Sequence, residues 1–413
     1  MGKDKLSEKS KKYLDTLCLE IPNRRVGSPG NRQAADYFES AVKHFGFETE
    51  SQLFNCIDTR LGEIKLEAGG ELFEAFISPY TIGCDYQGRL AAAENISELE
   101  LLEAEGKILL LYGEIASEQL MPKNFVFYNP EEHQRIYRLL EEKQPKAVIT
   151  ATSRNPDAVG AIYPFPMIED GDFDIPAAYM KDEEGQRMLK YSGDTAYLKM
   201  DAERISSESR NVISRKGGRS GKKVVLCAHI DAKLGTPGAL DNASGVTILM
   251  LLAEMLSDYE GLVGVEIAAL NGEEYYNAPG QTKYIGSYHG DFSSILFAVN
   301  LDDVGYYKDR TAFSLYGMPE EFAMVIHKIY ENRPGFIEGP PWYQSDHGIF
   351  IANGVPAMAI TEENFAELLK EITHSNKDLP DIVDTKKLVD NATALRELIT
   401  ELDDQIIRNP ILL

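Results

Sequence analysis

Hydrophobic positions change their spacing as the chain proceeds. Residues 8–19 carry them at helical intervals, and so do positions 34, 35, 38, 41, 42 and 45, which follow the cap and first-turn pair Ser28-Pro29 and stop at Gly46. Short strands are expected next, around 48–56 and 62–68. From about 57 to 206 the pattern becomes brief apolar runs: GKILLLYG (106–113), PKAVITAT (145–152) and DIPAAYM (174–180) predict buried strands, with acidic helical stretches at 131–143 and 181–191. After 207, strands and helices alternate. KKVVLCAHID, VGVEIAAL, ILFAVNLD and GVPAMAI predict strands; ASGVTILMLLAEML and the segments near 319–333, 364–372 and 385–404 predict helices. This alternation is that of an α/β fold, a mostly parallel sheet flanked by helices.

A chain of 413 residues exceeds the usual size of one domain. The change of pattern divides it into a main domain, 1–56 with 207–413, and an inserted, smaller α/β domain, 57–206. The inserted block has His133 as its only histidine and no chemistry of its own. A net charge of −24 disfavours nucleic acid and anionic membranes as partners, since both attract basic surfaces. It suits a free ammonium group or a divalent cation, although solubility is the plainer reason for most of the acids. The stretch MGKDKLSEKSKKYLDTL lacks the apolar centre of a signal peptide, and Val246–Leu256 contains Glu254 and is too short to span a bilayer. Cys18, Cys56, Cys84 and Cys227 show no CxxC spacing and are expected to be buried thiols of a reducing compartment. A cytoplasmic location is the resulting expectation. The Asn-x-Ser/Thr sequences at Asn95, Asn242 and Asn391 carry no weight without a secretory signal.

Candidate chemistry gathers where strands end, the place where ligands bind in open α/β sheets. VVLCA runs into His229, IAALNG into Glu273-Glu274, FAVNL into Asp302, and VPAMAIT leads on to His374. Asp241 is placed to open the helix after His229, as an N-cap. Singly, each has an ordinary explanation: a strand-end histidine is usually structural, a Glu-Glu pair solvated, an N-cap aspartate only a cap. His44, His133, His289 and His327 are given that ordinary role. As a set, two histidines and three acids at strand ends form the mixed nitrogen and oxygen donors that suit zinc. Asp231, two residues from His229 on an extended segment, is either a turn residue or a carboxylate that accepts the distal ring N–H and fixes the tautomer.

The segments His229-Ile-Asp231, GALDNASG (238–245), NGEEYY (271–276), NLDDVG (300–305), SDHGIFIANGVPA (345–357) and His374-Ser-Asn-Lys-Asp378, with the earlier GSPGN…AADYF, resemble the metallopeptidase family of the bacterial leucyl aminopeptidases and glutamate carboxypeptidase II. The 57–206 block, with DIPAAYMKDEEGQRML, is similar to the protease-associated domain often inserted in that family. The resemblance implies two zinc ions per chain, with cobalt or manganese as alternatives. It implies that Asp241 bridges them, that His229 and Asp302 complete one ligand set and Glu274 and His374 the other, and that Glu273 is the general base. Asp231 would support His229. The implied substrate is a peptide with a free N-terminus, cut by a water that the two ions share.

Two positions depart from the family pattern. Asp303 stands where methionine is commoner, and Thr373 where some members place a tyrosine that supports the oxyanion, leaving that donor unassigned. Trp342 and Tyr343 are candidates for a side-chain pocket. Two other classes compete with an aminopeptidase: a glutaminyl-cyclase-like aminoacyltransferase, which uses a single zinc, and a peptidase-like binding protein without catalysis. The filled ligand positions disfavour the latter. Oligomeric state is left open by the sequence.

Overall fold

The computed structural model describes residues 2–21, 23–154 and 161–408. The chain forms two compact units: Met1–Cys56 with Glu208–Leu368 and Ile372–Leu413, and Ile57–Ser207 with Leu369–Glu371. It leaves the first unit in β1 (Glu48–Ala68) and returns to it in β8 (Thr195–Gly217). One strand thus replaces the two expected at 48–56 and 62–68. The chain does not turn at 57–61; at Gly62 just beyond, a Cβ would lie 2.9 Å from Asp201, so the glycine permits close approach of the neighbouring backbone.

The second unit contains β2 (Glu71–Phe73), β3 (Phe76–Ile77), β4 (Cys84–Ala93), β5 (Ile108–Leu111), β6 (Ala147–Thr152) and β7 (Ala177–Lys181). Its sheet order is β8-β4-β5-β6-β7-β3, parallel from β4 to β7 and antiparallel at both ends. β5 and β6 are buried throughout, which explains why they read as unbroken apolar runs.

The first unit adds β9 (Lys223–His229), β10 (Gly264–Leu270), β11 (Ile295–Leu301), β12 (Thr311–Tyr316), β13 (Phe336–Glu338) and β14 (Ala357–Glu362). Their order is β13-β12-β14-β11-β9-β10-β8. Four of the six pairs are parallel; β12–β14 and β10–β8 are antiparallel. The result is the expected α/β class, with helices packed against a large central sheet. The Gly245–Met255 helix is buried along nearly its whole length, with Glu254 paired to Lys9 near its end, and packs on β9 and on the Lys3–Asp15, Pro29–His44 and Thr385–Arg408 helices. Ser28 caps the Pro29–His44 helix, its Oγ accepting the Asn31 N–H at 3.1 Å. No helix among the described residues is long and apolar enough to cross a membrane. Cys18 and Cys227 are buried, whereas Cys56 and Cys84 are only half-buried, and all four are free thiols.

Two buried carboxylates show how this unit manages charge. Glu266 on β10 accepts the Tyr284 and Tyr288 hydroxyls on one oxygen, at 2.7 and 2.8 Å, and Arg215 Nε and Lys223 Nζ on the other, at 2.7 and 2.8 Å. Burial pushes its pKa up, but Lys223 and Arg215 outweigh that and hold it below the ordinary value. Glu362, at the end of β14, accepts Gly305 N–H and Lys387 Nζ, both at 2.6 Å, yet burial prevails and pushes its carboxyl up to about 7. Between the ordinary value of 4.5 and 7, the folded chain keeps a proton that the unfolded chain has released. This group's contribution is therefore complete below 4.5 and lost as the pH rises through 7. Relative to Glu362→Gln, the wild-type unfolding free energy should fall by about 3 kcal/mol across that window. Urea unfolding of both proteins at pH 5 to 7.5 checks this; parallel curves would reject it.

Candidate metal centre

Register brings the site together. His229 ends β9 opposite Leu270, the last residue of β10. Asn300 on β11 pairs with Cys227, so Asp302, two residues on, arrives at the level of His229. Asp302 N–H donates to Ile360 O of β14 at 3.0 Å, which fixes that strand end. Glu273 and Glu274 follow β10 in a turn, and His374 follows the Phe365–Glu371 helix with φ +61°.

His229, Asp241 and Asp302 place one donor atom each within 4.8 Å of one another, and so do Asp241, Glu274 and His374. His229 Nε2 is 3.1 Å from Asp241 Oδ1 and 3.3 Å from Asp302 Oδ1. His374 Nε2 is 3.0 Å from Asp241 Oδ2 and 2.7 Å from Glu274 Oε1. The two oxygens of one aspartate thus face two different sets. Glu274 Oε1 is buried and makes no hydrogen bond, although it lies 2.7 Å from a ring nitrogen. His229 Nε2 and Asp302 Oδ1 are within hydrogen-bond range of each other, whereas the unpartnered Glu274 Oε1 is free to face a cation. Such donor sets, each one imidazole and two carboxylates, fit zinc.

Electrostatics agree with a cation site. Burial alone would lower His229, but Asp302, Asp231 and Asp241 outweigh it and hold the imidazole well above its ordinary value. His374 is likewise raised against burial, by Glu274 and Asp241. Asp241 is driven up by burial yet ends below the usual carboxylate range because both histidines face it. Glu273, half-buried beside this group, belongs to neither set. Burial, and after it Glu274, Asp302 and Asp346, push its carboxyl well up, against the pull of His229.

Several local expectations change. Asp241 is not an N-cap: its φ and ψ are −112° and 86°, and it sits in a wide turn, Ala239–Ser244, ahead of the helix that begins at Gly245. Asn242 does the tethering instead, accepting Gly245 N–H at 3.1 Å and donating to Leu301 O at 2.7 Å. The Asp231 carboxylate is 3.7 Å from His229 Nδ1, beyond hydrogen-bond range, and the Asp231 backbone carbonyl lies nearer at 3.3 Å. The carboxylate accepts the N–H groups of Gly272 and Glu274 at 2.9 and 3.0 Å, so it shapes the turn that carries Glu273. Asp303 is buried and accepts the Thr373 hydroxyl at 3.3 Å. Trp342 packs on His347 and Phe365, with ring centroids 4.5 and 4.8 Å apart, and belongs to a small core with Tyr316. Only Tyr343, 67% exposed, is left as a rim residue.

Other contributors had weak sequence signals. Ser345 donates to Asp302 Oδ2 at 2.6 Å and accepts Asn300 Nδ2 at 2.8 Å. Asn271 donates to Asn31, Ser209 and Arg210 O, and its own N–H goes to Asn211. Both residues lie within segments noted above, SDHG and NGEEYY, but only this packing gives them a task. His327 lies 3.0 Å from Glu331 one helical turn on, and with Glu338 forms a further group whose two acids are exposed.

Residues 211–399 match the family model for Peptidase family M28. The fold is similar to that of the aminopeptidase from Aneurinibacillus sp. strain AM-1, with 21% identity, coverage of 96% of this chain and 93% of that one, and a TM-score of 0.74. It is also similar to a zinc aminopeptidase from Bacillus subtilis, at 19% identity, 96% and 94% coverage, and a TM-score of 0.72. Among curated proteins, the probable lipoprotein aminopeptidase LpqL of Mycobacterium tuberculosis is 24% identical over 303 residues, 70% of this chain and 57% of that protein. A probable leucine aminopeptidase 2 of Aspergillus fumigatus is 28% identical over 200 residues, 44% and 39% of the two. The matches therefore span about half the length of these relatives.

Proposed function

We propose that this chain is an M28-family exopeptidase that uses two zinc ions, most specifically an aminopeptidase that removes the N-terminal residue of peptides. The observation that carries the proposal is Asp241, whose two oxygens face His229 with Asp302 on one side and His374 with Glu274 on the other. The match of residues 211–399 and the aminopeptidase-like fold support it.

When bound, the ions supply Lewis acidity toward the scissile carbonyl and lower the pKa of attacking water. The protein's own residues do the rest. Asp241, His229, Asp302, Glu274 and His374 would hold the ions. Glu273, kept basic enough by its surroundings to accept a proton, would take one from water and return it to the leaving amine. Asp231 holds the Gly272–Glu274 backbone so that neighbouring Glu273 and Glu274 keep separate tasks. The excess of carboxylates favours a substrate with a free ammonium. The 57–207 unit, in which His133 faces a single carboxylate and no group of three potential ligands occurs among the described residues, is assigned as a non-catalytic insert of protease-associated type.

A panel of aminoacyl chromogenic substrates with N-acetylated controls tests this reading on zinc-loaded protein. Free amines should be cleaved and blocked ones spared, a chelator should abolish turnover, and zinc or cobalt should restore it. Cleavage of blocked peptides, or pyroglutamate from a Gln-initial peptide, would reject the aminopeptidase.

A further inference from the structure

Arg24 is 1% exposed, and each of its oxygen acceptors is a backbone carbonyl. Nε donates to Ile230 O at 3.1 Å, Nη1 to Leu17 O at 2.7 Å and Pro237 O at 2.9 Å, and Nη2 to Gly238 O at 2.7 Å. Taking a guanidinium out of water is expensive, so a fork spent on carbonyls must be held by what it organises. Those carbonyls belong to the loop between His229 and Asp241 and to the turn after the Lys3–Asp15 helix.

Asp378 grips the same loop through the loop's N–H groups. Its Oδ1 accepts Leu240 N–H at 2.7 Å, its Oδ2 accepts Asp241 N–H at 3.2 Å, and its carbonyl accepts Ala239 N–H at 3.3 Å. The carbonyls of Pro237 and Gly238 therefore face the guanidinium, while the N–H groups of Leu240 and Asp241 face the carboxylate. Gly238 completes the fit: its φ is +62°, and a Cβ there would come within 2.8 Å of Arg24 Nη2 and 2.4 Å of Asp241 O. A side chain at position 238 would therefore collide with both Arg24 and the loop backbone.

We propose that Arg24 and Asp378 are the positioning residues of Asp241, setting the direction of its two oxygens and making the N-terminal arm part of the metal centre. Arg24 lies outside the stretch that matches the family model. The inference rests on Asp241 being the shared ligand. It assigns to the arm a task in metal affinity rather than in substrate contact.

The test is zinc binding to metal-free wild type, Arg24→Met, Arg24→Lys and Asp378→Asn, by competition with a chromophoric chelator. Thermal unfolding with and without zinc is measured alongside. Arg24→Met and Asp378→Asn should bind zinc about 10- to 100-fold more weakly, as expected for groups that orient ligands, with Arg24→Lys intermediate. The rise in unfolding midpoint on adding zinc should shrink in the same order. A purely structural role would lower both midpoints equally and leave that rise intact. Unchanged affinity and rise in the folded variants would overturn the proposal, and if Arg24→Met fails to fold, Arg24→Lys and Asp378→Asn decide. Wild type that binds no zinc would instead overturn the function proposed above.

Discussion

Glu273→Gln should bind the same two zinc ions as wild type and lose about 10²- to 10⁴-fold in kcat, the range for removal of a general base. The substitution keeps the shape of the side chain and leaves all five candidate ligands in place. The carboxyl is pushed up by burial and by Glu274, Asp302 and Asp346, so replacing it with a neutral amide also relieves repulsion. Stability should therefore hold or rise while turnover collapses. Metal content by elemental analysis, kcat and unfolding midpoint make up the test. Full turnover in a zinc-loaded variant would remove Glu273 from the mechanism, and loss of zinc would make it a ligand.

Asp241→Asn should behave in the opposite way. One oxygen becomes an amide nitrogen that cannot coordinate, and the remaining one cannot face both histidines. Both ions should bind far more weakly, with activity falling by on the order of 10³-fold or more, since a metal's charge stabilisation is worth several kcal/mol. The metal-free variant should still fold, because Asn keeps the volume and the Asp378 grip is on the backbone N–H. Titration with zinc under a chelator buffer measures this. Two tightly bound ions in Asp241→Asn would show that the aspartate is not shared.

The α/β class and the strands leading to His229, Glu273-Glu274 and Asp302 were legible because buried parallel strands read as apolar runs that stop at polar residues. What the pattern could not show is how the segments beyond those strands turn. Asp241 looked like a cap because an aspartate before a helical run usually is one, but the helix starts four residues later and Asn242 holds its entrance. For Asp231 strand alternation left two readings, a turn residue or a support for His229, and its carboxylate accepts the turn N–H groups of Gly272 and Glu274. The long β1 was expected as two short strands because its pairing partner, β8, is distant in sequence and leaves no mark on local spacing. Trp342 was offered a pocket by its chemistry and found its place against His347 by packing. Arg24 gave no signal, since a buried arginine among carbonyls leaves no mark on hydrophobic spacing.

The turn that carries Glu273 is anchored at both ends. Asn271 is bonded to Asn31, Ser209 and Asn211 at its start, and Gly280 O accepts Asn211 Nδ2 at 2.8 Å where the next helix begins. Beyond it, Tyr284 secures that helix to Glu266. A span fastened in this way cannot serve as a flap. Any segment that yields to admit the proposed peptide substrate should lie elsewhere, and the backbone amides of Gly272 and Glu274 should be among the slowest in this region to exchange with deuterium.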